Sequence, residues 1–169
     1  MNRVPETRSA YAGNWVKLAR MTEGPLTQVL DDLELATRGR GLVDITPSVA
    51  EWCARQGIGK GLLTVFLPHT SASLLLQEHA DPQVARDLEA WLDRAVPDGD
   101  PLFRHVAEGP DDMPAHVRAA LTQSHVAIPV SSHRLQLGTW QGLFLFEHRR
   151  RGRPRRIMLH LLGSESAPS

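Results

Sequence analysis

The apolar residues of this chain come in short runs, and the type of run changes twice along the sequence. Runs with strand character lie towards both ends, and runs with helical spacing lie between them. That grouping lacks the regular βαβ alternation of a doubly wound parallel sheet and points to an α+β domain. The expected sheet is antiparallel or mixed, with the option of folding into a sandwich.

The first strand is read from Gln28–Thr37, where Val29, Leu33 and Leu35 share one parity and Asp32 and Glu34 the other. Arg38-Gly39-Arg40-Gly41 is a turn, and Leu42–Ile45 a second strand. Thr46-Pro47 reads as N-cap and first helical position of a helix that Gly57 ends, with Val49, Trp52 and Cys53 as its buried stripe. Leu62–Leu67 and Ser71–Leu76 are further strands. Asp81-Pro82 opens a second helix, whose expected apolar face carries Val84, Leu88, Trp91, Leu92 and Ala95. A third, short helix follows Asp112 and includes Pro114–Leu121. The last strands are His125–Val130, Leu143–His148 and Arg156–Leu162, the final two joined by Arg149–Pro154 as a hairpin loop.

A chain of 169 residues suits one domain and can bury about 70% of its unfolded surface. It needs no disulfide, and Cys53 is its only cysteine. Residues 1–26 read as a loosely docked extension and 164–169 as a frayed tail, leaving 27–163 as the domain. Lys+Arg and Asp+Glu both number 19, so no global excess of positive charge calls for nucleic acid or a membrane surface. No stretch approaches the roughly 20 apolar residues of a membrane span. With no secretory h-region at the start, cytoplasm is the expected compartment.

Eight histidines set the chemistry to be explained. His125, His148 and His160 lie in strands or at their ends and read as structural; His79 and His133 sit in turns and read as solvated. His69, His105 and His116 differ. A buried strand delivers His69 beside Thr70 and Ser71, and His105 and His116 flank the acidic turn Glu108-Gly109-Pro110-Asp111-Asp112. Imidazoles on three separate elements can make a metal site with an open position, although the spacing matches no compact ligand signature. Asp81 has a capping role, whereas Glu78 is free to act as a general base or to fix a histidine tautomer. Gly138-Thr139-Trp140-Gln141 is either a turn with a core tryptophan or a ligand contact offering a stacking face and an amide. Arg149, Arg150, Arg151, Arg153, Arg155 and Arg156 crowd one segment, which reads as a solvated loop or an anion site.

These segments together resemble the YjbQ family, also described as the secondary thiamine-phosphate synthase family. The resemblance is carried by His69-Thr70-Ser71-Ala72-Ser73-Leu74, by Glu78 with Asp81-Pro82, and by His105…Glu108-Gly109-Pro110-Asp111-Asp112-Met113-Pro114-Ala115-His116. Ile128-Pro129-Val130, Arg134 to Gly142, Glu147-His148 and Arg155-Arg156 continue it in the same order. The departures are Val106 where an Asp is common, Gln77 for Asn, and His133 for a turn Gly.

The resemblance implies a compact α+β fold with a β-sandwich-like core and about three helices, a homotrimer, and polar sites near subunit boundaries. It implies weak thiamine phosphate synthase activity, joining an aminopyrimidine methyl diphosphate to a thiazole phosphate. The site carried over holds a divalent metal, zinc or magnesium, on His69, His105 and His116. Arg134 or Arg155 grips phosphate, Glu78 steers a ligand, Trp140 stacks, and Gln141 hydrogen-bonds. The expected partner is a small phosphorylated molecule. Two alternatives stay open: a metal-dependent hydrolase with Glu78 as base, and a non-catalytic metal- or anion-binding module.

Overall fold

The computed structural model describes residues 25–165. In chain order the elements are β1 (Thr27–Ala36), β2 (Gly41–Asp44), α1 (Thr46–Ala54), β3 (Ile58–Phe66), β4 (Ala72–Glu78) and α2 (Pro82–Ala95). They continue with α3 (Asp112–Leu121), β5 (His125–Ser131), β6 (Arg134–Leu135), β7 (Gln141–Glu147) and β8 (Pro154–Glu165). One sheet runs β1-β8-β3-β5-β6 and the other β2-β7-β4. Every pairing within them is antiparallel, so the expected α+β class holds and the mixed-sheet option falls.

Alternation sets which face of each strand is buried. Ile157, Leu159 and Leu161 of β8, Leu63 and Val65 of β3, and Val126, Ile128 and Val130 of β5 point into one core. Leu143 and Leu145 of β7, Ala72 and Leu74 of β4, and the expected stripe Val49, Trp52 and Cys53 of α1 complete it. β7 is also buried on its other face, through Phe144 and Phe146.

Several local expectations change in three dimensions. Thr46 does not cap α1; its hydroxyl accepts the Leu143 N–H at 2.8 Å and so ties the helix to β7. Asp81 does cap α2, accepting the Gln83 N–H at 2.8 Å. On α2, Leu92 is buried but Trp91 and Ala95 are exposed, so the apolar face is narrower than its spacing implied. β4 runs on through Gln77 and Glu78, and β8 runs through Ser164 and Glu165, past the expected domain end. Most of the expected N-terminal extension, and the tail beyond Glu165, lie outside the described residues.

The segment after β7 is not a hairpin. β7 belongs to the three-stranded sheet and β8 to the five-stranded one, so Arg149–Arg153 crosses between sheets. Thr37, just past β1, holds this crossover: its N–H donates to the Arg153 carbonyl, and its hydroxyl accepts the Arg153 N–H at 3.0 Å. Gly152 is required there, because a Cβ would collide with the Thr37 carbonyl. α3 is fixed from its other side by buried Arg118, which donates to the Val96 carbonyl at 2.6 Å and pairs with Asp93 at 2.9 Å.

Candidate functional site

The first turn of α3 builds the centre of the site. Asp112 and His116 are four residues apart and therefore share one helix face. His105 arrives from the preceding loop. Its Nε2 lies 2.9 Å from Asp112 Oδ2, and His116 Nε2 lies 3.6 Å from the same oxygen. The three ligand atoms fall within 4.8 Å of one another. Asp112 Oδ2 is buried and has no hydrogen-bond partner, so His105 is near it in distance without hydrogen-bonding geometry.

His116 Nδ1 lies 2.9 Å from the Thr70 carbonyl oxygen. A carbonyl only accepts, so Nδ1 carries a proton, and Nε2 is the ring nitrogen turned towards Asp112. Arg149 fixes the other side of the carboxylate. Its Nη1 pairs with Asp112 Oδ1, and its Nε donates to Asp111 Oδ2 at 3.1 Å. Burial pushes the Asp111 carboxyl up, but the Arg150 N–H and the Arg149 guanidinium outweigh it and hold the group below the usual range.

A second buried pair stands beside this centre. Glu147 accepts from Arg155 at 2.6 and 2.8 Å, from the Arg149 N–H at 3.0 Å and from the Thr37 hydroxyl at 2.8 Å. Arg155 Nη2 also donates to Ser71 Oγ at 3.1 Å. Burial raises the Glu147 pKa, yet these four donors together hold it below the ordinary value. Arg155 is thus locked to a carboxylate rather than left open to grip phosphate. The reading of the arginine run as a solvated loop fails for Arg149 and Arg155, both of which are buried.

His69 lines the same cleft but is not a third metal ligand in this arrangement. Its Nε2 accepts the Arg156 N–H at 3.0 Å. Accepting that N–H leaves the ring proton on Nδ1, and burial with the nearby Arg155 pushes the pKa of His69 down in the same sense. Among the described residues, the metal-capable cluster is His105, Asp112 and His116, with Asp112 in the place expected for His69. The Asp112/His116 spacing, one helical turn apart behind an acidic loop, was the sequence signal for it.

The cleft has a volume of about 300 Å³, with His69, Thr70, Ser71, Glu108, His116 and Arg153 among its lining. Arg149, Arg153 and Arg155 supply three positive charges in or beside it. Glu108, Asp111, Asp112 and Glu147 supply four negative ones, each in an ion pair with these arginines. A divalent cation at Asp112 would turn this balance positive.

The remaining expected residues lie elsewhere. Glu78 pairs with Gln141 at one end of the β4–β7 ladder, and Ala72 pairs with Glu147 at the other. Six residues of strand make these ends about 20 Å apart. Trp140 is 64% exposed at that far end, and Gln141 Oε1 accepts the Gly138 N–H at 2.9 Å. Arg134 is exposed on β6, at the edge of the other sheet. Within one chain, Glu78, Arg134, Trp140 and Gln141 therefore do not join the histidine cleft.

Of the histidines expected to be structural, His148 is fully buried and lies 2.9 Å from the Ser73 hydroxyl. Burial, with the charge of Arg118, lowers its pKa to about 3. Cys53 is likewise buried, which pushes its thiol up and leaves it unreactive. No helix among the described residues is long and apolar enough to cross a membrane.

Comparison with known proteins supplies the family. The family described as UPF0047 protein YjbQ-like matches residues 31–164. UPF0047 protein sll1880 of Synechocystis is 46% identical over 131 residues, which are 78% of this chain and 89% of that protein. UPF0047 protein YjbQ of Escherichia coli O157:H7 is 41% identical over 132 residues, 78% of this chain and 95% of that one. Among solved structures, a YbjQ-like protein of unknown function from Sulfolobus solfataricus P2 superposes with a TM-score of 0.75 at 26% identity, covering 83% of this chain and all of the other. An uncharacterised YjbQ/UPF0047 protein from Clostridium acetobutylicum gives 0.71 at 32% identity, covering 78% and 98%.

Proposed function

The chain belongs to the YjbQ-like UPF0047 family, and from that premise we propose that its cleft is a divalent-cation site for a small phosphorylated molecule, serving thiamine phosphate synthase-like transfer. The observation that carries this is His116 Nε2 lying 3.6 Å from Asp112 Oδ2, a buried oxygen that accepts no hydrogen bond. A buried carboxylate oxygen left without a donor calls for a positive charge beside it. His105 Nε2 completes a nitrogen–oxygen donor set that suits zinc, and the Thr70 carbonyl and Arg149 orient it from behind.

A divalent cation bound there would offset charge on a departing diphosphate. The chain's own groups do the rest. Arg153, half-exposed at the rim and only loosely paired with Glu108 at 3.6 Å, is freer to meet phosphate than the buried Arg155, held by Glu147 at 2.6 Å. The Thr70 and Ser71 hydroxyls and the His69 Nδ1–H are further donors on cleft-lining residues. In the transfer, the carbon–oxygen bond to diphosphate breaks, the bonding electrons leave with the diphosphate, and the thiazole nitrogen lone pair forms the new carbon–nitrogen bond. No proton is removed from the nucleophile. The cleft therefore needs charge stabilisation rather than a general base, which favours transfer over a hydrolase relying on Glu78.

Self-association into a homotrimer belongs to the same reading. The outer face of the five-stranded sheet exposes Leu30, Leu62, Phe66 and Leu162, an apolar surface suited to a second copy. Glu78, Trp140 and Gln141 could meet the cleft only from such a neighbour.

The test begins with protein purified without added metal or chelator. Elemental analysis should find about one zinc or magnesium per chain, lost in His116→Ala. The metal-loaded protein should then form thiamine phosphate from the two phosphorylated precursors. Metal binding without turnover would leave the binding-module reading. Turnover of generic phosphoesters would favour the hydrolase, and an absence of metal after soaking would end the cation site.

A further inference from the structure

Successive residues of α3 look into two different spaces. Asp112 and His116 line the polar cleft, whereas Met113 and Pro114 line a second cavity of about 320 Å³. Phe103, Val106 and Pro110 form much of the rest, and Asp100 is its one carboxylate. The Asp100 side chain is already engaged, accepting the Leu102 N–H at 2.8 Å. His105 lines the apolar cavity, and its Nε2 sits 2.9 Å from Oδ2 of Asp112, a residue that lines the cleft.

Proline rings, a phenyl ring, a thioether and a valine make few polar demands on an occupant and offer flat contacts. Val106 is 62% exposed and Phe103 and Met113 are half-buried, so the cavity is open to a ligand. Its volume lies at the small end of the range for ligand sites and fits a single ring better than a nucleoside.

We propose that this cavity is an apolar subsite for the uncharged ring of a ligand whose phosphate occupies the histidine cleft. Phe103, Val106 and Met113 set ring specificity, and His105 borders the ring on the side facing Asp112. This inference rests on the cation-and-phosphate reading of the cleft.

The probes are methyl phosphate and benzyl phosphate, which carry the same anion and differ in the ring. Calorimetric titration of the metal-loaded full chain should show benzyl phosphate binding at least about 10-fold tighter. Phe103→Ala and the exposed-site variant Val106→Asn should each reduce that preference to about 3-fold or less, with methyl phosphate affinity unchanged. Equal affinities in the wild type would overturn the subsite and leave the phosphate site standing. A ring preference kept intact in both variants would place the ring elsewhere and overturn it too. If neither probe bound, the phosphate reading itself would fall and take the subsite with it.

Discussion

His116 donates its Nδ1 proton to the Thr70 carbonyl at 2.9 Å, and this bond decides what the opposite nitrogen can do. It joins the start of α3 to the turn before β4, two elements far apart in sequence. With Nδ1 protonated, Nε2 is the nitrogen turned towards Asp112, and a proton competes with a metal for its lone pair. Metal affinity should accordingly fall steadily as pH is lowered from neutrality. Titration with a competing chelator at several pH values checks this, and a flat profile would count against imidazole ligands.

Phosphate binding should depend on the metal. Three guanidinium groups face four carboxylates around the cleft, so stripping the cation leaves a net negative site that repels phosphate. Calorimetry with inorganic pyrophosphate should show binding to metal-loaded protein and none measurable after chelation. Arg153→Ala should weaken it about 10-fold, equivalent to one charge-assisted hydrogen bond, while metal content stays unchanged.

Removing Arg155 should destabilise the fold more than it disturbs the ligand. Glu147 is fully buried and would be left charged without its main partner, at a cost of about 3–5 kcal/mol. The folded-state pKa of Glu147 is depressed, so its contribution is complete above the unfolded value of about 4.3 and is lost as pH falls through the lower folded value. Urea unfolding of the wild type and Arg155→Ala at neutral pH reads the first effect. Acid titration of the wild type reads the second, as a loss of stability below pH of about 4.

His148 sets a separate acid limb. The folded protein holds it neutral down to about pH 3, whereas an unfolded histidine takes up its proton near about 6.5. Between those values the unfolded state binds the extra proton, so stability falls as pH falls. Moving from pH 7 to 5 should cost about 2 kcal/mol from this residue alone. In His148→Gln that part of the pH dependence should disappear, although the variant is less stable at neutral pH because the fit to Ser73 changes. Urea midpoints at the two pH values distinguish these effects.

Glu78→Ala should leave metal content unchanged. Its strand position is about 20 Å along β4 from the histidine end. Metal loss in this variant would mean that Glu78 reaches a metal site through assembly rather than within the chain. Sedimentation of wild type and variant would then show whether the oligomeric state changed with it.

Periodicity carried most of the secondary structure because it reports local geometry. The parity of Val29, Leu33 and Leu35 placed β1, the helical spacing of Val49, Trp52 and Cys53 placed α1, and Asp81-Pro82 marked the start of α2. It failed where burial depends on distant partners. Trp91 has helical spacing but points to solvent. β6 has two residues and too little pattern to read. The arginine run appeared solvated because a line of residues does not reveal that Asp111, Asp112 and Glu147 converge on it.

The sequence by itself determined the α+β class, the family and the order of every strand and helix except β6, and it singled out His105 and His116, which the fold brings together. These follow from side-chain period, turn chemistry and motif content, which the chain order preserves. Only the tertiary structure decided that Asp112 rather than His69 stands with them, that Arg155 is locked to Glu147, and that Glu78 and Trp140 lie at the opposite end of the ladder. Those outcomes rest on which atoms compete for the same partner. His69 Nε2 meets the Arg156 N–H, and strand register sends Glu78 and Ser71 to opposite ends. Hydrogen-bond direction and register exist only once separate segments are packed together.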